Sequence, residues 1–292
     1  MDYLNNDMNN EIFSYEKLSK GNKYNIKELL LHKLKLNKEF EIKTLDDIAF
    51  LQKTFVERLP YNNFDLCHGI DEWGLDYIVK RLLIDGEGGI CTTLNILMGM
   101  FLHEFNIPVK LIKAHKQSQF NVIPHFSCHI SNIFQWPLNN KWYMVEVGIG
   151  FFGSLNPIEL GNEIGILSNA GNQSYYRCIE IPEDGSYIYQ EKKPGTDSFF
   201  PLFQFNTKEI THGEILDCHQ RYLEITEKKL FSFLKFETGY YYFHHDCLKV
   251  GFLDGKENTI TITDQYQLKK MLLNYFNINL NVNVNVNVKK LV

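Results

Sequence analysis

The chain has 292 residues, 44% hydrophobic and 14% aromatic, enough apolar material to bury a large core divided into two or three domains. Thirty Lys and Arg against thirty-five Asp and Glu give a net charge of −5. There is no basic stripe interleaved with aromatics, which argues against nucleic acid as a partner.

No apolar run approaches the ~20 residues of a membrane helix, and the segment from Met1 to Asn6 lacks the basic and apolar regions of a secretory signal. No membrane partner and a cytoplasmic location are therefore expected. Cys67, Cys91, Cys128, Cys178, Cys218 and Cys247 are too sparse for a disulfide scaffold and are expected as reduced thiols. Nothing in the sequence fixes an oligomeric state.

Residues 1–22 are polar and Asn-rich and read as a loose arm. Residues 23–104 read as a helical domain. Within it Thr44, with Asp47 three residues on, offers a capping box for a helix carrying Ile48, Leu51, Phe55 and Leu59, and Pro60 ends that helix. Leu59 to Phe64 reads as a turn or extended segment, and Leu75 to Leu83 as a short helix. A Gly-rich loop then leads into Cys91. From there Leu94, Leu97, Met98, Phe101, Leu102 and Phe105 recur at i, i+3, i+4 and i+7, the stripe of an amphipathic helix.

After Pro108 the period changes. Val109 to Ile112, Cys128 to Trp136 and Trp142 to Val147 are rich in β-branched and aromatic residues, and Pro137 to Asn140 supplies a turn between the latter two. With strand candidates at Tyr175 to Ile181 and Ser186 to Glu191, residues 105–205 read as antiparallel sheet or barrel. Residues 206–280 mix helix (Glu209 to Thr226, Asp264 to Phe276) with strands (Tyr240 to Phe252, Asn258 to Thr263), an α+β arrangement. In the tail 281–292, Asn and Val alternate from Asn281 to Val288, a low-complexity run to which no function is given.

Cys91 falls at a helix start, where unpaired backbone N–H groups and the positive end of the dipole favour a thiolate. The glycines before it let the backbone approach a substrate carbonyl. The alternative is a buried structural cysteine after an ordinary turn. A nucleophilic thiol needs a base and a third group to orient that base. His129 and Glu146 are candidates, because a carboxylate in an otherwise apolar strand either faces solvent or has a partner.

If Pro137 to Asn140 form a four-residue loop, Ser131 opposes Glu146 and His129 is its diagonal neighbour on the same face, about 7–8 Å away and within side-chain reach. A two-residue loop at Asn139 and Asn140 would offset the pair by four residues and keep it apart. As metal ligands, His125, Cys128 and His129 are poorly placed. Successive strand residues face opposite ways and no second Cys/His pair completes a set, so no metal is expected.

Taken in order, five segments resemble the arylamine N-acetyltransferase family. Leu59 to Asn63 is similar to its I/V-P-F-E-N segment, and Glu87 to Cys91 to its R-G-G-x-C nucleophile motif. Cys128-His129 falls where its catalytic histidine is expected, Trp142 to Gly150 is similar to W-x-V-D-V-G-F-G, and Phe276 to Ile278 to its final F-G/N-I.

The resemblance implies a multidomain α+β fold of N-terminal helical bundle, middle antiparallel β-barrel and C-terminal α/β lid around a cysteine-protease-like core. It implies a triad of Cys91, His129 and Glu146, and ping-pong transfer from acetyl-coenzyme A through a Cys91 thioester to a small-molecule arylamine or arylhydrazine. Coenzyme A contacts are implied at His125, Phe126 and Tyr222, with Lys228 and Lys229 nearby as partners for its phosphates, and acceptor contacts at Cys128 and Phe151. Three positions depart from the family pattern: Glu146 stands for Asp, Asn62 for Glu and Glu87 for Arg. The family's Glu–Arg pair supports the nucleophile loop, and an Asn62–Glu87 hydrogen bond is expected in its place. A cysteine hydrolase and a non-catalytic homologue are the alternative readings.

Overall fold

A computed structural model describes residues 10–20, 22–64, 73–116, 128–150, 153–168, 173–226, 230–244 and 246–279. The chain opens with helices α1 (Tyr15–Lys20), α2 (Ile26–Lys33) and α3 (Leu45–Arg58), then a two-residue strand, β1 (Tyr61–Asn62). The start of α3 follows its sequence signal. Asp47 N–H donates to Thr44 Oγ1 (3.2 Å) and Thr44 N–H to Asp47 Oδ2 (2.8 Å), which closes a capping box. α4 (Leu75–Val79) continues into a π-helical stretch, Lys80–Asp85, ended by Gly86 in the left-handed region at φ 74°.

The central element is α5 (Cys91–Glu104), in which every residue from Cys91 to Leu102 is buried. The sequence predicts an amphipathic stripe, but the helix is enclosed on all sides and serves as the rod around which the core condenses. α1 and α2 pack on one side of it and the strands of the middle sheet on another.

α1 also corrects the expectation of a loose arm over residues 1–22. Phe13 and Tyr15 are buried, the Tyr15 ring occupies the space a side chain on Gly99 would need, and its hydroxyl donates to Asn132 Oδ1 (2.5 Å). Two apolar residues in a polar stretch are enough to dock that segment on a helix that offers a glycine gap. Residues 1–9 lie outside the described residues, as does the tail from 280 on.

Eight antiparallel strands follow the helices. They are β2 (Val109–Lys116), β3 (His129–Gln135), β4 (Trp142–Val145), β5 (Ile158–Glu159), β6 (Asn162–Leu167), β7 (Tyr175–Ile181), β8 (Ser186–Lys192) and β9 (Phe200–Glu209). Their order, β5-β4-β3-β2-β9-β8-β7-β6, curls until Leu160, just past β5, bridges Cys178 of β7, so the sheet is a nearly closed barrel.

After α6 (His212–Thr226) come β10 (Phe231–Phe236), β11 (Gly239–His244), β12 (Cys247–Phe252), β13 (Glu257–Thr261) and α7 (Gln265–Phe276), capped by Asp264. These strands form a second sheet, β1-β10-β11-β12-β13, whose first strand is supplied by Tyr61 and Asn62 from the helical part. α7 closes it with a core that includes Phe243, Leu248, Leu268, Leu272 and Phe276. The expected bundle, barrel and α/β layers are all present. Among the described residues no helix is long and apolar enough to cross a membrane.

Candidate active site

Cys91 is the first residue of α5 and is 2% exposed. The loop before it is fixed from two directions. β1 lies along it, with Gly89 N–H donating to Pro60 O (3.1 Å) and Asn62 N–H to Gly89 O (2.8 Å). Gly88, at φ +77°, has Pro60 O and Asn62 Nδ2 where a side chain would stand, so only glycine fits. From the π-helical stretch, Arg81 reaches Gly88 O through Nε (2.7 Å), Asn62 Oδ1 through Nη2 (3.0 Å) and Glu87 Oε2 through Nη1 (3.4 Å).

The expected Asn62–Glu87 side-chain hydrogen bond is therefore corrected. Asn62 Nδ2 donates to the backbone carbonyl of Glu87, and the Glu87 carboxylate turns to Arg81. A buried carboxylate gains more from a guanidinium than from a neutral amide. The loop keeps an ion pair, with its basic member at position 81.

The turn between β3 and β4 selects the register that brings His129 and Glu146 together. Trp136 N–H donates to Lys141 O (2.9 Å), Gln135 stands opposite Trp142 and Asn132 opposite Val145. The loop is the four-residue one, and His129 is the diagonal neighbour of Glu146, which directly follows β4. His129 Nε2 lies 2.7 Å from Glu146 Oε2, and Cys91 is close enough to the imidazole to favour its charged form as well.

The second carboxylate oxygen, Glu146 Oε1, accepts from Asn95 Nδ2 (2.9 Å) and Gly148 N–H (2.6 Å). Asn95 sits one turn beyond Cys91 and also donates to Ile130 O (2.8 Å) while accepting from Val147 N–H (3.1 Å). Burial alone would lower His129 and raise Glu146. The opposite charge each presents to the other, together with these hydrogen bonds, outweighs it, so His129 is raised and Glu146 lowered from their ordinary values.

α6 lies against this line at three points. Cys218 forms a disulfide with Cys128, the residue before His129, with Cα atoms 5.4 Å apart. Thr92, the residue after Cys91, has its Oγ1 2.5 Å from His219 Nδ1. Tyr61 Oη donates to Tyr222 Oη (2.7 Å).

The disulfide corrects the expectation of six reduced thiols. Cysteine density counts spacing along the chain, whereas folding brings together two residues 90 positions apart. Cys91, Cys178 and Cys247 are free thiols, and Cys67 lies outside the described residues. Cys128, expected to touch the acceptor, has its sulfur in this bond. Of the residues expected to contact coenzyme A, Tyr222 is buried beside Tyr61, while His125, Phe126, Lys228 and Lys229, like Phe151, lie outside the described residues.

Arg81, Asn95, His219 and Lys235 escaped the sequence reading. Two of them carried a signal of the kind that singled out Glu146, a polar group inside an apolar run: Asn95 in α5 and Lys235 in Phe-Ser-Phe-Leu-Lys-Phe. Lys235 is 2% exposed and its Nζ donates to Gly153 O (2.6 Å). Burial pushes this ammonium down to about 7, against the nearby charge of Glu191.

A thiol at a helix N-terminus beside an imidazole that is hydrogen-bonded to a buried carboxylate is the arrangement that nucleophilic cysteine chemistry requires. The family model described as N-acetyltransferase matches residues 44–285. The chain belongs to the arylamine N-acetyltransferase family. Among curated relatives in Dictyostelium discoideum, probable arylamine N-acetyltransferase 3 is 28% identical over 157 residues, covering 51% of this chain and 49% of that one. Probable arylamine N-acetyltransferase 2 is 27% identical over 191 residues, covering 64% and 61%. The matched stretches thus span about half to three-fifths of those relatives.

Among solved structures, the arylamine N-acetyltransferase of Bacillus cereus, reported to have a unique Cys-His-Glu catalytic triad, shares the fold at a TM-score of 0.73 and 19% identity over 88% of this chain and 100% of that one. The Mycobacterium marinum enzyme, solved in complex with CoA, has a TM-score of 0.73 and 17% identity over 87% of this chain and 93% of that one.

Proposed function

We propose that this chain moves an acetyl group from acetyl-coenzyme A through a thioester on Cys91 to an arylamine or arylhydrazine. The observation that carries the reading is the buried His129–Glu146 hydrogen bond set against Cys91 at the start of α5. His129 takes the Cys91 proton, Sγ adds to the acetyl carbonyl, and the imidazolium returns the proton to the departing coenzyme A thiolate. In the second half His129 takes a proton from the amine as its nitrogen attacks the thioester, and Cys91 leaves as the thiol.

N–H groups of the first turn of α5, which helix geometry leaves without intrahelical carbonyls, are suited to hold the oxyanion in both halves. Glu146 keeps the imidazole oriented and offsets its charge. The relatives' names supply the donor and acceptor classes, and the Bacillus cereus enzyme shows that a glutamate can stand third in such a triad.

Mixing the protein with acetyl-coenzyme A and no acceptor should release coenzyme A in a burst stoichiometric with protein and leave Cys91 acetylated, as read by peptide mass. Cys91→Ala should give neither. Full turnover by that variant would end the proposal.

A further inference from the structure

The family match begins at residue 44, yet the segment before it reaches the site through the first residue of α1. Backbone pairing fixes its path. Phe13 N–H donates to Ile210 O (2.9 Å), His212 N–H donates to Glu11 O (3.0 Å), and Ile12 forms a bridge with Thr211. From this strap Tyr15, 4% exposed, sets its ring edge-on against Phe13, centroids 4.9 Å apart, and over Gly99 of α5. Burial pushes the phenol well up, so it stays an O–H donor through the neutral range.

The hydroxyl starts a chain of hydrogen bonds whose polarity is set at each step. Tyr15 Oη donates to Asn132 Oδ1 (2.5 Å), and Asn132 Nδ2 donates to the backbone carbonyl of Asn95 (2.6 Å). Asn95 in turn presents Nδ2 to Glu146 Oε1 (2.9 Å) and Ile130 O (2.8 Å), and Oδ1 to Val147 N–H (3.1 Å). Turning either amide over would set oxygen against oxygen. Both asparagines are fully buried, so water cannot replace a lost donor.

This chain spans the gap across which the reaction runs. Cys91 and Asn95 are one turn apart on α5, His129 and Asn132 lie on β3, and Asn132 stands opposite Val145, the residue before Glu146. The bonds of Asn95 and Asn132 therefore set how far His129 and Glu146 stand from Cys91. Tyr15 holds the oxygen end of the Asn132 amide while the nitrogen end faces α5.

We propose that Tyr15, acting through Asn132, is a positioning residue for acetyl transfer, by which the segment before residue 44 locks the spacing between Cys91 and the His129–Glu146 pair. This rests on the acetyl-transfer reading. Removing the hydroxyl keeps the ring on Gly99 and the strap in place but leaves Asn132 Oδ1 buried without its donor. The amide then shifts and loosens its hold on Asn95 O, and proton transfer from the thiol is steeply sensitive to that displacement.

The test compares wild type, Tyr15→Phe, Asn132→Leu and the double variant at a temperature well below all their melts. Two rates are read: first-turnover release of coenzyme A across a range of acetyl-coenzyme A concentrations, and alkylation of Cys91 by iodoacetamide, followed by peptide mass. Tyr15→Phe should slow the saturating first-turnover rate on the order of tenfold, leave the half-saturating concentration unchanged, and slow alkylation in parallel. Asn132→Leu should lose at least as much, and adding Tyr15→Phe to it should cost nothing more. A hydroxyl that only stabilises the fold would lower the melt and leave both rates untouched, and that result overturns the proposal. So does an undiminished loss when Tyr15→Phe is added to Asn132→Leu. If Asn132→Leu does not fold, the two rates of Tyr15→Phe decide alone. A wild type that releases no coenzyme A removes the acetyl-transfer reading, and alkylation of Cys91 then judges the Tyr15 link by itself.

Discussion

Glu146 has one methylene more than the aspartate of the family pattern, and the surrounding donors use that length. With Oε1 tied to Asn95 and Gly148, Oε2 spans the diagonal to His129 at 2.7 Å. Shortening the side chain breaks one contact or the other, so Glu146→Asp should lower kcat/KM on the order of 10²-fold through misplacement of the imidazole. Glu146→Gln, which cannot offset the imidazolium, should lose about 10²–10⁴-fold in steady-state turnover.

The pair also links stability to pH. His129, raised in the fold, adds stability that is complete below its unfolded value near 6.5 and is lost as pH climbs through the higher folded value. Glu146, lowered, adds stability that is complete above about 4.3 and is lost as pH falls through the lower folded value. Thermal melts of wild type minus Glu146→Gln should therefore show their largest difference between about pH 4.3 and 6.5 and converge toward either side. A flat difference would mean that the two groups do not share a charge.

At the scale of elements, the π-helical stretch and α6 do most to hold the site. Arg81 is the shared donor to Gly88, Asn62 and Glu87. Arg81→Met should cost about 3–5 kcal/mol in urea unfolding, because it strands the buried Glu87 carboxylate, and adding Glu87→Met should recover much of that loss. If the double variant is no better than the single, the ion pair is not what Arg81 contributes.

The Cys128–Cys218 bond pins α6 to the start of β3, and Cys218→Ser should cost about 2–5 kcal/mol. Reductant should bring wild type to the same value and leave the variant unaffected. Identical unfolding of wild type with and without reductant would show that the bond is not formed in solution.

Legibility followed local chemistry. α3 and α7 announced themselves through Thr44 and Asp264, and the β3–β4 hairpin through its turn residues. β9 did not, because bulges at its pairings with β2 and β8 break the two-residue period. β10 did not either, since Lys235 interrupts its apolar face. The His129–Glu146 contact followed from one of the two registers the turn allowed, whereas Arg81 and the disulfide depend on pairings that no local pattern encodes.

For the whole molecule, the helical part supplies Cys91, the barrel supplies His129 and the strand leading to Glu146, and the second sheet sets Lys235 on Gly153 O beside them. They are joined by backbone as well as side chains. β1 is at once the brace of the nucleophile loop and the edge of the second sheet, where Tyr61 stands opposite Phe233 and Asn62 opposite Ser232. Such a ladder ties the second sheet down along its edge, and any opening of the site has to bend or break that pairing.

The same strand sets a timetable for synthesis. Asn63 Oδ1 accepts from Phe231 N–H across 168 residues of sequence, so the edge cannot be completed until the chain near residue 231 has left the ribosome. Until then a nascent chain carries Cys91 without β10 paired to the strand that braces its loop. Prematurely terminated products should hold an exposed thiol and no working site.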